Sequence, residues 1–394
     1  MLSHDVFSIY QLCEFGEQDC LLLLGKGINR VFPREQGDMR VKGVLLHGGA
    51  GTRLRPLTFS GPKQLIPVAN KPVSQYALED MVSAGIREIA IVLGEVFPEL
   101  VREHYGDGSR FGCRITYIYQ GKPLGIAHAV GLCRDFVGSS PFVVYLGDNL
   151  LQHGIKRHLK EFLEDDYDAF ILFKEIEDPR RFGVGEFDEQ GRLVRLVEKP
   201  KEPPSNYALV GVYFFTPVVF EMIDRLKPSW RGELEITDAI QLLLEHGYKV
   251  GYAFVEGWWL DTGKKDDILY ANALLLDERV KRDIRGKVIR SKVEGRVIVE
   301  EGARVVDSVV RGPAIIGRDC VVECSFIGPY TSVGPGSRVV DSSVEYCVLL
   351  EGVHVEGVER LEESLIGRHA RVVKGKDRRR VYKLSIGDYS EVVL

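Results

Sequence analysis

The chain has 394 residues, of which 45% are apolar and 28% charged, with a formal net charge of −5. That length holds two or three domains with sizeable cores, and the composition is ordinary for a folded soluble protein. The balance offers no basic excess for neutralising phosphates of a nucleic acid, no apolar run long enough to span a bilayer, and no CxxC pair among seven scattered cysteines. A reduced, cytoplasmic protein with no nucleic-acid or membrane partner is therefore expected.

Residues 1–38 lack periodicity, and a regular strand pattern starts only after Met39. One reading takes 1–38 as a mis-called extension with the true start at Met39; the other takes it as a genuine N-terminal arm. From 41 to about 265, short β-type runs alternate with helical patterns. Val41–His47 reads as a strand and Ser74–Gly85 as a helix, with Leu78, Met81, Val82 and Gly85 at helical spacing. Then come strand Ile89–Leu93, helix Glu99–Tyr105, strand Arg114–Tyr119, helix Leu124–Phe136 and strand Pro141–Leu146. This alternation predicts an α/β fold with a mostly parallel, Rossmann-like sheet covered by helices on both faces, and ligands at the carboxyl ends of the strands.

Residues 264–286 read as a helical connector. After Gly286, apolar or small residues recur every six positions: Val297, Ala303, Val309, Ile315, Val321, Ile327, Val333 and Val339. A six-residue period is the pattern of a parallel β-helix, in which each hexad forms one flat face and its aliphatic residue points into the core. The register breaks at Glu345, where a loop or an extra bulged turn is expected. Val310, Phe326 and Val340 then fall on outer faces, where they suit subunit packing, so a homo-oligomer is expected. The basic run Lys374–Arg380 reads as a solvated face or tail. The expected divisions are an extension over 1–38, an α/β domain over 39–263, the connector over 264–286 and a β-helix over 287–394.

The segment most informative about chemistry is Leu46–Pro56 (LHGGAGTRLRP), just after the first strand, followed by Gly61–Pro67 (GPKQLIP). Glycines at 48, 49 and 51 let the backbone approach an anion and turn N–H groups toward it. Arg53 and Lys63 supply charge for phosphate oxygens. The segment is neither a Walker A loop nor a dinucleotide fingerprint. By spacing alone it is either a phosphate cradle or a tight structural turn.

These two segments resemble the signature of the sugar-nucleotide pyrophosphorylases. Later segments agree in order: Gln120–Ala127, Tyr145–Asn149 (YLGDN), Arg181–Phe187, Val197–Pro200 (VEKP), Ser205–Tyr213, Arg231–Asp238 (RGELEITD) and Trp259–Gly263 (WLDTG). RGELEITD together with LGDN is similar to the thymidylyl branch in its long form, which ends in a left-handed β-helix. The resemblance covers nearly everything after residue 38. It implies a Mg²⁺-dependent nucleotidyltransferase that joins dTTP, or UTP, to glucose 1-phosphate and releases pyrophosphate.

Carried over residue by residue, the resemblance makes Arg53 and Lys63 catalytic. It gives the nucleotide to Leu46, Gly48, Gly49, Gly51, Thr52, Gln120 and Gly125. The sugar phosphate falls to Gly147, Gly183, Glu198, Lys199 and Asn206, and the metal to Asp148 and Asp261. Without it, Asp148 and Asp261 read equally as helix caps, Gln120 as a strand-end residue facing water, and Glu198–Lys199 as a solvated ion pair. His128 reads as a packed helix residue, while Glu233 and Glu235 read as surface charges or pocket-orienting groups. The absence of a nucleophile–base constellation agrees with direct attack by an already anionic phosphate. A second class is acyl transfer by the β-helix, with His354 or His369 as base. A third is a non-catalytic regulatory paralogue, against which the intact Arg53, Lys63, Asp148 and Asp261 argue.

Overall fold

The computed structural model describes residues 40–375. The extension over 1–38 and most of the basic run Lys374–Arg380 lie outside the described residues.

Apart from a short hairpin of Pro67–Val68 with Lys71–Pro72, the strands of the α/β domain are β1 (Lys42–His47), β2 (Glu88–Gly94), β3 (Arg114–Gly121), β4 (Phe142–Leu146), β5 (Asn149–Leu151), β6 (Ala169–Glu175), β7 (Gly183–Phe187), β8 (Leu193–Glu198), β9 (Tyr207–Phe215), β10 (Val250–Phe254) and β11 (Trp259–Asp261). The main helices are α1 (Val73–Ser83), α2 (Pro98–Tyr105), α3 (Ile126–Gly131), α4 (Lys156–Glu164), α5 (Ile236–Glu245) and α6 (Lys265–Arg279). The sheet order is β8-β7-β9-β4-β1-β2-β3, and β6 joins β9 to β10. Around β1 the strands are parallel, as the alternation predicts. Beyond β4 the sheet turns antiparallel through β9, β6, β7 and β8. Val44 and Leu45 on β1 are wholly buried because helices cover both faces. α1, α2 and α4 pack on one face, and α3 and α5 on the other.

The helix expected over Leu124–Phe136 is broken. Gly125 takes φ +107° and α3 starts only at Ile126, with a separate short turn over Arg134–Val137. The reason lies in the neighbouring chain: a Cβ at 125 would collide with the backbone of Leu234. The segment bends to meet the loop before α5, whose Leu234 N–H donates to the Leu124 carbonyl at 2.8 Å.

From Asp283 onward, short strands stack into three parallel sheets, forming the left-handed β-helix that the period anticipates. Its core is lined by Val299, Val305, Val310, Ile316, Val322, Ile327, Val333 and Val339. The spacing is therefore six, six, five, because Val305 stacks on Val322 and Val322 on Val339 in coils of 17 residues. A strict six-residue count slips by one position per coil. That slip overturns part of the expected register. Val310 is inside the core, whereas Val309 and Val321 are half-buried outside it. Ile315 faces outward, against Leu276 and Val280 at the end of α6. Near Glu345 there is no added turn: the coil loses one residue, with Val339 stacking on Val355, and Val344 stays in the core. The β-helix is not an appendage. Val348 and Leu350 share one core cluster with Leu54, Ile66, Val68 and Leu269.

Candidate active site

Two cavities open at the carboxyl ends of β1 and β4, where a parallel sheet places its ligands. The first, of about 260 Å³, is lined by Leu46, Gly48, Gly49, Gln120, Gly125 and Arg231 among others. The second, of about 490 Å³, is lined by Arg53, Gly183, Glu198, Lys199, Glu235 and Asp261 among others. Lys63, Ile126, Leu146 and Asp148 line both.

The glycine loop is held from behind. Gln64 Nε2 donates to the Gly48 carbonyl at 2.6 Å, and Thr58 Oγ1 donates to the Gly51 carbonyl at 2.9 Å. Gly49 and Gly51 take φ +95° and +60°, and a Cβ at Gly51 would come within 2.7 Å of Thr58. Gly51 therefore shapes the loop rather than lining a cavity, and Thr52 is exposed outside both.

Lys63 Nζ donates to Asp148 Oδ2, and the two side chains are only 15% and 14% exposed. Burial alone would lower the lysine; the Asp148 carboxylate, with Asp261 behind it, outweighs this and raises it. Burial likewise opposes ionisation of Asp148, but the ammonium and an N–H from Asn149 Nδ2 at 3.0 Å hold it below its ordinary value. Among the described residues, Asp261 has no such hydrogen-bonding partner. Burial and the neighbouring Asp148 push it up to about 6. The carboxylates meet because β5 and β11 pair antiparallel with Asn149 opposite Asp261. Asn149 locks that strand pair to the sheet, its Oδ1 accepting from Trp259 Nε1 at 2.7 Å and Gly211 N at 3.2 Å. Thr262 adds N–H and hydroxyl donors to the Asp148 carbonyl at 3.0 and 2.8 Å.

At the far end of the first cavity, Gln120 Nε2 donates to the Gly125 carbonyl at 3.1 Å and lies 3.3 Å from His128 Nδ1. Its Oε1 stays on the Gly48 side as an acceptor. His128 is thus part of the site as an orienter of Gln120, beyond the packing role expected of it. In the second cavity, Glu198 takes Thr237 Oγ1 at 3.2 Å, Lys199 Nζ at 3.4 Å and Arg231 Nη1 at 3.5 Å. Burial raises its carboxyl, Lys199 offsets part of that, and Glu235 adds to it.

Most residues expected at the site converge there; besides Gly51 and Thr52, Gly147 and Asn206 do not. Gly147 packs on β1, where a Cβ would come within 2.8 Å of the Leu46 carbonyl. Asn206 is exposed and lines neither cavity; its carbonyl accepts from Ile176 N–H at 3.0 Å. Conversely, Arg231, Glu233 and Glu235, from the RGELEITD motif, wall the cavities, as do Arg180 and Arg181. The motif was visible; that its arginine bonds to Glu198 was not. His354 pairs with Glu356 at 2.9 Å on the β-helix surface, and His369 is exposed at a coil corner.

Among the described residues, no group of three or more His, Cys, Asp or Glu side chains could hold a metal ion by itself. The Asp148–Asp261 pair still fits a divalent cation that takes its remaining ligands from phosphates and water, as Mg²⁺ does. Asp261 supplies the unpartnered carboxylate, and Lys63 now occupies Asp148 Oδ2.

Two cavities meeting at one largely buried cation can hold two anionic ligands side by side, the layout of an enzyme that transfers a group between them. Residues 42–278 match the nucleotidyl transferase family model, and the chain belongs to that family. It is 48% identical over 340 residues to the low-salt glycan biosynthesis nucleotidyltransferase Agl11 of Haloferax volcanii, covering 86% of this chain and 95% of that protein. It is 45% identical over 350 residues to a glucose-1-phosphate thymidylyltransferase of Streptomyces griseus, covering 89% and 98%. Among solved structures, it is similar to one described as a glucose-1-phosphate thymidylyltransferase from Bacillus anthracis in complex with a sucrose, at TM-score 0.57 and 40% identity, covering 59% and 94%. A UDP-glucose pyrophosphorylase with UDP-glucose matches at TM-score 0.55 and 26% identity, covering 61% and 100%.

Proposed function

We propose that the chain catalyses dTTP + glucose 1-phosphate → dTDP-glucose + pyrophosphate. The observation carrying this reading is the junction of the two cavities at Lys63 and Asp148. A nucleotide in the first and a sugar phosphate in the second would meet there. One oxygen of the sugar phosphate attacks the α-phosphorus, forming a P–O bond. The bond from the α-phosphorus to the bridging oxygen breaks, and its electron pair leaves on pyrophosphate. The nucleophile is already anionic, so no proton transfer is required.

Gln120 supports a thymine or uracil base. With Nε2 turned to Gly125 and His128, Oε1 is left to accept from an imide N–H, which adenine and cytosine lack. The glycine loop and Arg53 take the triphosphate. Lys63 sits where charge builds on the reacting phosphate. Lys199, Arg180 and Arg181 face the sugar phosphate, and Glu198 accepts from sugar hydroxyls. Asp148 and Asp261 would hold the Mg²⁺, which supplies charge neutralisation on the phosphates. The names of the Streptomyces and Bacillus relatives support the thymidylyl assignment, while the UDP-glucose enzyme keeps UTP as a second substrate. A thymine methyl contact discriminates by only about 1–3 kcal/mol.

Pyrophosphate release over a matrix of nucleoside triphosphates and sugar 1-phosphates tests this reading. Activity with dTTP or UTP and glucose 1-phosphate is expected; preference for ATP or CTP refutes the base site. Homo-oligomer formation through outer β-helix residues such as Phe326 and Val340 belongs to the same proposal, and light scattering tests it. The domain divisions belong to the same proposal: an α/β domain over 39–263, a helical connector from 264, and a β-helix that begins at Asp283 rather than at 287.

A further inference from the structure

A tight hairpin links the Lys63 turn to α1. Residues 67–68 pair with 71–72, and the turn residues Ala69 and Asn70 take φ +47° and +60°. Two consecutive non-glycine residues in the left-handed region are strained unless their surroundings hold them there, and alanine has no polar side chain to help. The holding groups come from α6 and the β-helix. Asn272, on α6 and 1% exposed, accepts the Ala69 N–H on its Oδ1 at 2.8 Å. The same oxygen accepts the Ser332 hydroxyl, and its Nδ2 donates to the Tyr330 carbonyl at 3.0 Å. Asn70 Nδ2 donates to the Val333 carbonyl at 2.8 Å. Asparagine is a poor helix former, and an apolar residue would fill a buried α6 position more simply. A buried amide bonded through both its oxygen and its nitrogen specifies one geometry.

That geometry reaches the cleft. The chain runs from Lys63 through Ile66 into the hairpin, and Ile66 and Val68 pack on Leu269, Val348 and Leu350. On the cleft side, Gln64 grips the Gly48 carbonyl, and Ser74 at the start of α1 donates to the Gln64 carbonyl at 3.0 Å. The segment bearing Lys63 is thus clamped between the glycine loop and the β-helix. We propose that Asn272 is a positioning residue for nucleotidyl transfer: by holding the Ala69–Asn70 turn on the β-helix, it sets the height of Lys63 over the reacting phosphate. This rests on the function proposed above, with Lys63 acting in the transfer step.

The test uses the full chain. Asn272→Ala is compared with wild type by pyrophosphate release with dTTP and glucose 1-phosphate, and by amide hydrogen exchange without ligands. The expected result is a fall in kcat of tenfold or more, with both KM values within about twofold. Exchange should rise over residues 63–72 while β1 stays protected. Adding Ala69→Gly, which accepts the left-handed turn without strain, should recover at least threefold in kcat. Unchanged kcat overturns the proposal, as does raised KM at unchanged kcat, or exchange that rises equally across the α/β domain. If Asn272→Ala does not fold, Asn70→Gly decides: it keeps the turn and deletes only the bond to Val333, and kcat must fall at constant KM. A wild-type protein that releases no pyrophosphate defeats the functional reading instead; the clamp itself then stands or falls on the localised exchange.

Discussion

Lys63→Met removes one charge and nearly preserves the side chain's length, so its consequences follow from the Lys63–Asp148 pair. With both side chains about 15% exposed, deleting the ammonium leaves Asp148 with Asn149 as its remaining side-chain donor and Asp261 as a like-charged neighbour. Orphaning one member of a buried pair costs about 3–5 kcal/mol, and the residual exposure favours the lower end. For a chain this long that is a fall of about 5 °C in Tm near pH 8. The sign with pH follows from Asp148. Its folded value lies below the ordinary 3.8, so the pair's stabilisation is present above that pH and fades as pH falls through the lower, folded value. The deficit of the variant should therefore hold from pH 8 down to about 4 and shrink only as pH falls below 3.8. Added Mg²⁺ should raise Tm more in the variant than in wild type, because the cation replaces the lost ammonium between two carboxylates. Turnover should fall about 10²–10³-fold at saturating substrates, the scale for removing one preorganised charge from a transition state. Differential scanning calorimetry at three pH values and a pyrophosphate-release assay give both numbers. Wild-type Tm at pH 8 would refute the buried pair, and kcat within threefold of wild type would refute the placement of Lys63 on the reacting phosphate.

Asp148→Asn and Asp261→Asn should each cut turnover by orders of magnitude while leaving a folded protein; near-normal rates at saturating Mg²⁺ in both would remove the metal assignment. Glu198→Ala should raise KM for glucose 1-phosphate more than for dTTP, and the reverse pattern in steady-state kinetics would exchange the two pockets. Gly125→Ala should disrupt nucleotide binding, since its Cβ would meet the Leu234 backbone, and calorimetric titration with dTTP would detect this. Asp80 lies apart from the cleft, bonded to Tyr145 Oη at 3.1 Å, and burial pushes it up to about 6. Its folded value exceeds the ordinary 3.8, so its penalty is absent below that pH, grows between 3.8 and about 6, and is constant above. Asp80→Asn should therefore stabilise the protein by about 2 kcal/mol at pH 8 and by nothing near pH 4 in urea melts; equal shifts at both pH values would contradict the burial argument.

Local pattern alone identifies the elements whose periodicity is strong. β1 to β4 lie within two or three residues of where the apolar runs place them, and the glycine loop follows β1 as its spacing requires. The β-helix is legible too, because each coil repeats the same short-range packing problem. Its register is not: coils of 17 residues put Val310 inside and Ile315 outside, and only stacking between coils decides that. The antiparallel half of the sheet is likewise settled by pairing rather than by local pattern, since β9 is buried along nearly its whole length and has no distinctive alternation.

The division is the same at the cleft. The sequence alone determined which chemical groups are available: glycines able to approach phosphates, the cations at 53 and 63, the carboxylates at 148, 198 and 261, and an amide at 120. Tertiary structure alone decided which of them meet. Asp148 and Asp261 become neighbours only through the β5–β11 register, Arg231 reaches Glu198 only because its loop folds over α3, and Gly147 and Asn206 are withdrawn into packing and solvent. Contacts between residues far apart in the chain depend on the closure of the whole fold. The ionisation of Lys63, Asp148 and Asp261 depends on those contacts, because burial and neighbouring charge act through space and not along the chain.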